Sequence, residues 1–143
     1  MILVDANILL YAYDAGSEHH ECCRDWVTDA FGGPTPVRLP WASILAFIRI
    51  ATNARIFDRP YTVREAVSIV STWFDAPAVG ILEPGERYWE ILSAILDDAQ
   101  VTGPLVSDAA LAALALEHGA WLCTSDRDFR RFPTVRVVNP TSG

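Results

Sequence analysis

The sequence contains no lysine, because all 11 of its basic residues are arginine. Without a lysine amine, the chain can form neither a Schiff-base nucleophile nor the lysine contact of a P-loop. A Gly-x-Gly-x-x-Gly motif is also absent, which argues against a dinucleotide-dependent enzyme. These absences exclude lysine-based chemistry and make a dinucleotide cofactor unlikely.

Disulfide and membrane signals are also missing. The three cysteines are odd in number and form no Cys-x-x-Cys pair, which argues against a disulfide framework. No apolar run approaches the roughly 18 residues that a membrane-spanning helix needs. The N-terminus lacks a basic stretch and has an acid at Asp5, unlike a secretory signal. We therefore expect a cytoplasmic protein that does not contact a membrane.

The composition is that of a well-packed globule. With 51% apolar and 20% charged residues, the 143 residues are expected to form one domain spanning 1–143. The net charge of −7 is unusual for a protein that holds nucleic acid by general electrostatics. It does not exclude a nuclease, because a bound metal ion would neutralise acids where phosphate must approach.

Strand and helix signals alternate along the chain. Short apolar runs predict strands, and longer runs with helical spacing separate them. The alternation predicts a parallel α/β sheet covered on both faces. The predicted strands are Ile2–Asp5, Val37–Leu39, Val79–Leu82, Trp121–Thr124 and Arg136–Val138. The predicted helices are Ala6–Tyr13, Glu18–Phe31, Trp41–Asn53, Thr62–Phe74, Glu86–Ala99 and Ala109–His118.

Three aspartates fall at the ends of these elements. Asp5 ends the first strand, Asp108 opens the last helix and Asp126 follows the strand at Trp121. Each has a simpler explanation as a helix cap or turn residue. Parallel α/β folds, however, bring such positions together at one edge of the sheet. Three carboxylates there would repel one another unless a divalent cation held them, which predicts a metal-dependent hydrolase of phosphoesters.

Several stretches resemble the PIN-domain ribonucleases, and their order, spacing and length match the VapC toxins of bacterial toxin–antitoxin pairs. The resemblance implies a three-layer α/β/α domain with a central parallel sheet of about four to five strands. A mycobacterial-type branch is indicated by the third helical region. The stretches are Ile2–Ala12, Leu39–Asn53, Val106–Ala115 and Thr124–Phe132.

The resemblance also implies roles for single residues. Asp5, Asp108 and Asp126 fall on the catalytic and metal-binding acids of the family, which would hold Mg²⁺ or, in its place, Mn²⁺. Asp128 has two interpretations, a further metal ligand or a surface partner of a nearby arginine, and we favour the second. The resemblance makes Asn7 a polar partner beside the first acid, and Thr124 or Ser125 a hydroxyl that supports the site. We expect these three residues to bind substrate, together with Arg49 and Arg130, whose guanidinium groups suit contacts with phosphate but could instead belong to a solvated, ion-paired surface.

One departure from the family concerns Ala46, which occupies the position where PIN nucleases usually carry a glutamate. No acid occurs between Trp41 and Asn53. The leading hypothesis remains an endoribonuclease toxin that cleaves transfer, ribosomal or messenger RNA and inhibits translation or growth. The alternative is a weakened PIN module that binds RNA or protein without cleavage. The expected partners are a VapB-like antitoxin and a second copy in a homodimer, or a larger toxin–antitoxin assembly.

Overall fold

The computed structural model describes residues 1–142 as a parallel sheet with helices on both faces. In this part of the chain the strands are β1 (Ile2–Val4), β2 (Val37–Leu39), β3 (Val79–Ile81), β4 (Trp121–Cys123) and β5 (Val137–Val138). The helices are α1 (Ala6–Ala12), α2 (His20–Phe31), α3 (Trp41–Ala51), α4 (Val63–Asp75), α5 (Tyr88–Ala99) and α6 (Leu105–His118). A 3-10 helix spans Arg127–Arg131. The predicted three-layer α/β fold is confirmed.

The strands lie in the order β3-β2-β1-β4-β5, and every neighbouring pair is parallel. On the central strand, Leu3 lies opposite Arg38 of β2 and Leu122 of β4. The chain leaves β1 toward β2 on one side and returns as β4 on the other. Such a switch in strand order opens a crevice at the carboxyl ends of the two strands, where ligands bind in α/β folds.

Alternate residues of the central strands face opposite helical layers. Val4 and Cys123 belong to the core shared with α1–α4, whereas Leu3 and Leu122 belong to the core shared with α5 and α6. All four side chains are fully buried. Because both faces of the sheet are covered, the central strands β1 and β4 are continuous apolar runs rather than alternating ones.

An aromatic cluster holds α1 against α3 and α4. The ring centroid of Trp73 lies 4.8 Å from that of Phe47, and the Trp73 indole donates to the Tyr13 hydroxyl at 3.0 Å. The Tyr61 hydroxyl in turn donates to the Tyr13 carbonyl at 2.6 Å. Trp73 and Phe47 are buried, and the Trp73 indole N–H has a hydrogen-bond acceptor, as a buried donor requires. The cluster fixes the helix that begins beside Asp5.

The helix ends follow local signals. Thr62 and Glu65 form a capping box, and Gly119 ends α6 in a left-handed conformation with φ of 63°. The predicted start of α6 at Ala109 is wrong, because the helix begins at Leu105, directly after Pro104. Proline has a φ suited to the start of a helix and needs no hydrogen-bond partner there. Asp108 therefore lies inside the first turn of α6.

The other predicted boundaries lie within two residues of the observed ones. The segment after Asp126, for which a simple turn is the usual explanation, instead forms the 3-10 helix. None of the helices in residues 1–142 combines the length and the apolar character that crossing a bilayer requires.

A buried carboxylate fixes the loop between β3 and α5. Glu117 of α6 accepts hydrogen bonds from the backbone N–H groups of Gly85 at 2.7 Å and Arg87 at 2.9 Å. Its side chain is only 7% exposed. A Cβ atom at Gly85 would lie 2.8 Å from Glu117 Oε2, so the close approach depends on glycine. Glu117 thus ties α6 to the start of α5.

We expect Glu117→Ala to lower the free energy of unfolding by about 1–3 kcal/mol, because two backbone donors lose a charged acceptor. The matched control is Glu86→Ala in the same loop, whose side chain is exposed and whose removal should change stability by less than about 0.5 kcal/mol. Urea denaturation at pH 7 measures both. Equal losses in the two variants would contradict the role assigned to Glu117.

Candidate functional site

Asp5 follows β1 and caps α1, as its position in the sequence allowed. Its Oδ1 accepts from the backbone N–H of Ala6 at 2.8 Å, and its Oδ2 accepts from the Thr124 hydroxyl at 2.8 Å. The capping role and a role in a site are therefore compatible. Capping sets the direction of the carboxylate, which lies at the carboxyl end of the central strand.

The Thr124 hydroxyl connects the ends of β1 and β4. It donates to Asp5, accepts from the backbone N–H of Asp126 at 3.1 Å and accepts from Asn7 Nδ2 at 3.3 Å. Thr124 is 1% exposed, so these contacts occur out of water. The geometry makes Thr124 a residue that positions Asp5 and Asp126.

Asn7 and Ser125 complete the connection between the two strand ends. The Asn7 amide nitrogen lies 3.4 Å from Asp5 Oδ2, and its Oδ1 accepts from the Ser125 backbone N–H at 3.4 Å. These bonds are long, near the outer limit for such contacts. Asn7 and Ser125 thus both lie at the site, and the Asn7 side chain forms hydrogen bonds with other residues of the site.

Three carboxylates converge beside this network. Asp108 of α6, Asp126 and Asp128 each place one oxygen so that all three atoms lie within 4.8 Å of one another. Asp126 also accepts from the Asp128 backbone N–H at 2.8 Å, which turns the chain into the 3-10 helix. Asp5 lies outside this group of three, although its charge acts on Asp108.

The interpretation of Asp128 as a surface partner of an arginine is wrong. Within residues 1–142, Asp128 forms no ion pair, and its carboxylate instead joins Asp108 and Asp126. The cause is the 3-10 helix, whose tight turn brings the second acid of Asp126-Arg127-Asp128 back toward the first. The position of Asp128, two residues after Asp126, was the feature of the sequence that could have indicated its place in the cluster.

The negative charges of the site repel one another. Burial, together with the smaller effect of repulsion from Asp126, Asp5 and Asp128, raises the pKa of Asp108 to about 6. Burial also raises the pKa of Asp5, despite the lowering effect of its hydrogen bonds from Thr124 and Ala6. No basic side chain forms an ion pair with any of these acids in the described part of the chain. A cation would relieve the repulsion.

The donor set suits a hard divalent cation. Every side-chain group in the cluster is a carboxylate, and carboxylate oxygen is the ligand that Mg²⁺, Mn²⁺ and Ca²⁺ prefer. No histidine or cysteine lies in the cluster within residues 1–142, which makes a closed zinc site of the usual kind a poor fit. The acids can therefore hold a metal ion of the Mg²⁺ type.

Two cavities border the acids. One, of about 590 Å³, is lined by Thr124, Ser125, Asp126 and two arginines, Arg127 and Arg130. The other has a volume of about 520 Å³ and also borders the site, because its lining includes Asp5 and Asp108. One of the two cavities beside the site is therefore lined by arginine, and the other, within the described residues, is not.

The predicted arginines separate into two groups. Arg130 lines the cavity beside Asp126, as expected of a residue that meets a substrate phosphate. Arg49 lies exposed in the last turn of α3 and lines neither cavity. Neither residue forms an ion pair within residues 1–142. The structure therefore brings Arg130, but not Arg49, into the wall of the site.

Ala46 lies on the wall of the second cavity, together with Ser43 one turn earlier on α3. No carboxylate extends from α3 toward the acids, as the sequence predicted. Two further lining residues were not identified from sequence, Trp41 and Tyr88. Their aromatic character gave no signal, because aromatic residues at helical spacing are usually core residues.

We expect Asp108→Asn to stabilise the metal-free protein. The folded-state pKa is raised, so the wild type loses stability as pH rises between the ordinary value of 3.8 and about 6. The advantage of the Asp108→Asn variant should grow across that interval and level off above it, at up to about 1 kcal/mol because the side chain is only partly buried.

Urea denaturation in EDTA from pH 4.5 to 8 measures this difference. Asp98→Asn, an exposed acid on α5, is the control and should show no such gain. A variant less stable than the wild type at every pH would contradict the proposed repulsion.

The family model for the PIN domain matches residues 2–135 of this chain. Among curated relatives, Ribonuclease VapC37 of Mycobacterium tuberculosis is 41% identical over 140 residues, which cover 98% of this chain and 97% of the relative. Ribonuclease VapC31 of the same species is 37% identical over 143 residues, with 98% and 99% covered. Both alignments span nearly all of each chain.

Solved structures show the same fold at low sequence identity. VapBC-1 from nontypeable Haemophilus influenzae has a TM-score of 0.71 at 17% identity, covering 99% of this chain and all of the other. VapBC2 from Rickettsia felis, bound to a DNA fragment from its promoter, has a TM-score of 0.67 at 16% identity, covering 97% and 98%. The whole-chain match in sequence and the shared fold place this chain in the PIN domain family, among the VapC ribonucleases.

Proposed function

We propose that the chain is a metal-dependent endoribonuclease that hydrolyses RNA phosphodiester bonds, with Asp5, Asp108 and Asp126 as its catalytic and metal-binding acids. The observation that carries this proposal is the convergence of carboxylates at the switch in strand order, with no basic side chain paired to them in residues 1–142. Relatives that are 34–41% identical over nearly the whole chain are named ribonucleases, which supports RNA as the substrate.

The proposed cofactor is Mg²⁺, for which Mn²⁺ can substitute. Asp128 joins the proposed ligands, because its oxygen lies with those of Asp108 and Asp126. It supplies a further carboxylate at a site where α3 presents Ala46. The lack of an acid at Ala46 is therefore no evidence that the protein has lost the ability to cleave RNA.

The roles of the residues follow from the geometry. A divalent cation supplies positive charge for the phosphate in the transition state and makes a nearby water more acidic. Asp108 must be ionised to take part, so cation binding should weaken below about pH 6, where the Asp108 carboxyl is protonated. Thr124 holds Asp5 in place, and the backbone of Asp126 is held by the same hydroxyl.

Arginine supplies the contact with the RNA backbone. Arg130 and Arg127 line the cavity beside Asp126, and the arginine fork suits bidentate contacts with phosphate. Arg49 is proposed only as a more distant contact on the same chain, since it lines neither cavity. This local basic side allows RNA to approach a protein whose net charge is −7.

The proposed partners are a VapB-like antitoxin and a second copy of the chain. Structural neighbours with this fold are VapBC complexes, including one from Haemophilus influenzae and one from Rickettsia felis. We propose that the chain acts as a toxin, cleaving RNA in the cytoplasm until the antitoxin is bound. Transfer, ribosomal and messenger RNA all fit the chemistry of the site.

We expect Asp5→Asn and Asp126→Asn to lower RNA cleavage by at least about 100-fold, because each removes a proposed metal ligand. Thr124→Val should lower it by about 10–100-fold, as is typical when a residue that orients a ligand is lost. Asp98→Asn should cleave like the wild type. Cleavage of total cellular RNA by the purified, partner-free protein, with Mg²⁺ or with EDTA, measures these effects.

Full cleavage by either ligand variant, or by the wild type in EDTA, would refute the proposed mechanism. A folded wild-type protein that cleaves no RNA with Mg²⁺ or Mn²⁺ would refute the nuclease function under those conditions.

We expect Arg130→Ala to weaken RNA binding and to reduce the slope of log affinity against log salt concentration by about one. Arg24→Ala is the matched control, because Arg24 lies on α2 and pairs with Asp25. Binding of a labelled RNA at several salt concentrations measures both. The same salt slope in Arg130→Ala as in the wild type would remove Arg130 from the RNA contact.

A further inference from the structure

We propose that the cavity of about 520 Å³ bounded by α3, α5 and α6 binds one nucleobase next to the RNA bond that is cut. This inference rests on the proposed nuclease function and adds a base-binding subsite to it. The volume lies within the range typical of sites for small organic ligands. Because Asp5 and Asp108 form part of the lining, a base held there would place its own backbone phosphate near the acids.

Two aromatic residues line this cavity. Trp41 is 49% exposed, although it is a large apolar side chain, and its ring centroid lies 6.4 Å from that of Phe74 at a tilt of 47°. Tyr88 is held in place by a hydrogen bond from its hydroxyl to the Ala110 carbonyl, at 3.3 Å. Stacking on aromatic rings is the usual way in which proteins bind unpaired bases.

Small residues leave room beside these rings. Ala42, Ser43 and Ala46 of α3 line one part of the cavity, and Ala110 of α6 lines another. Ser43 is only 3% exposed and presents a hydroxyl in an otherwise apolar stretch of wall. A larger side chain at Ala46 would occupy space that the base needs.

The charges favour a base over a phosphate in this cavity. Within residues 1–142, no arginine lines it, and Glu83 is its one charged lining residue outside the proposed metal ligands Asp5 and Asp108, so the wall away from the metal offers a phosphate group no positive partner. A carboxylate accepts hydrogen bonds from the exocyclic amino group of a base. Glu83 is exposed and is the lining acid outside the proposed metal site. We therefore assign the cavity to a base that carries an exocyclic amino group, rather than to uracil.

The test uses a pool of single-stranded RNA oligonucleotides of random sequence, with Mg²⁺ and the full-length protein. The variants are Trp41→Ala, Trp41→Phe, Ala46→Leu and Glu83→Gln, and thermal unfolding confirms that each is folded. Trp89→Ala is the control, because Trp89 is 69% exposed on α5 and does not line the cavity. Sequencing of the cut ends gives the base preference at each position, and kinetics give kcat and KM.

We expect the wild type to prefer adenine, guanine or cytosine over uracil at one position beside the cut. Trp41→Ala should lower kcat/KM by about tenfold or more, mainly through KM, and should weaken that preference. Trp41→Phe should retain most of both, and Ala46→Leu should resemble Trp41→Ala. Glu83→Gln should reduce the discrimination against uracil, and Trp89→Ala should behave like the wild type.

A cleaving wild type whose rate and preference are unchanged by Trp41→Ala and Ala46→Leu would overturn the subsite and leave the nuclease function intact. If the wild type does not cleave the pool, the nuclease proposal fails separately, and ultraviolet cross-linking of the same RNA still tests the cavity. Cross-links that map to Trp41 or Tyr88 by mass spectrometry would support base binding, and cross-links only elsewhere, or none, would overturn it.

Discussion

Repulsion among carboxylates is the constraint on which the rest of the site depends. The fold gathers Asp5, Asp108, Asp126 and Asp128 at the carboxyl ends of β1 and β4, and burial makes the ionisation of Asp5 and Asp108 costly. The Thr124 hydroxyl offsets part of that cost by donating to Asp5 and by accepting from the backbone of Asp126. A bound metal ion would offset the remainder, because positive charge is the missing component of an otherwise well-bonded site.

In the proposed function, the two cavities beside the acids contact different parts of the RNA. Arg127 and Arg130 lie on one side, where they suit the negatively charged backbone. The other side has aromatic and small residues with no arginine, which suits an uncharged base. An overall acidic protein can act on RNA in this way, because the attraction is local to the site and does not depend on the net charge of the chain.

Local signals in the sequence predicted most of the fold. The capping box of Thr62 and Glu65 follows from neighbouring residues alone, and the continuous apolar strands indicated a sheet covered on both faces. The predicted start of α6 at Ala109 came too late, because a proline such as Pro104 also marks the beginning of a helix. The first residue of such a helix depends on how its first turn packs against the rest of the protein, and a local sequence pattern does not predict this packing.

The site was predictable in part. Strand ends located Asp5 and Asp126, since parallel strands share an edge, whereas the role of Asp128 depends on a 3-10 helix that the sequence did not indicate. The cavity beside Ala46 was also out of reach, because it is formed by residues of three helices that are distant along the chain. Contacts between distant elements are set by packing, and a single sequence gives little information on packing.

The most direct test of the central claim is a crystal of the protein soaked in MnCl₂ and measured for anomalous scattering. We predict a manganese peak within bonding distance of carboxylate oxygens of Asp108 and Asp126, and its loss in crystals of Asp126→Asn. A well-ordered wild-type site with no manganese there, or manganese bound only elsewhere on the surface, would contradict the claim that these acids form a metal centre.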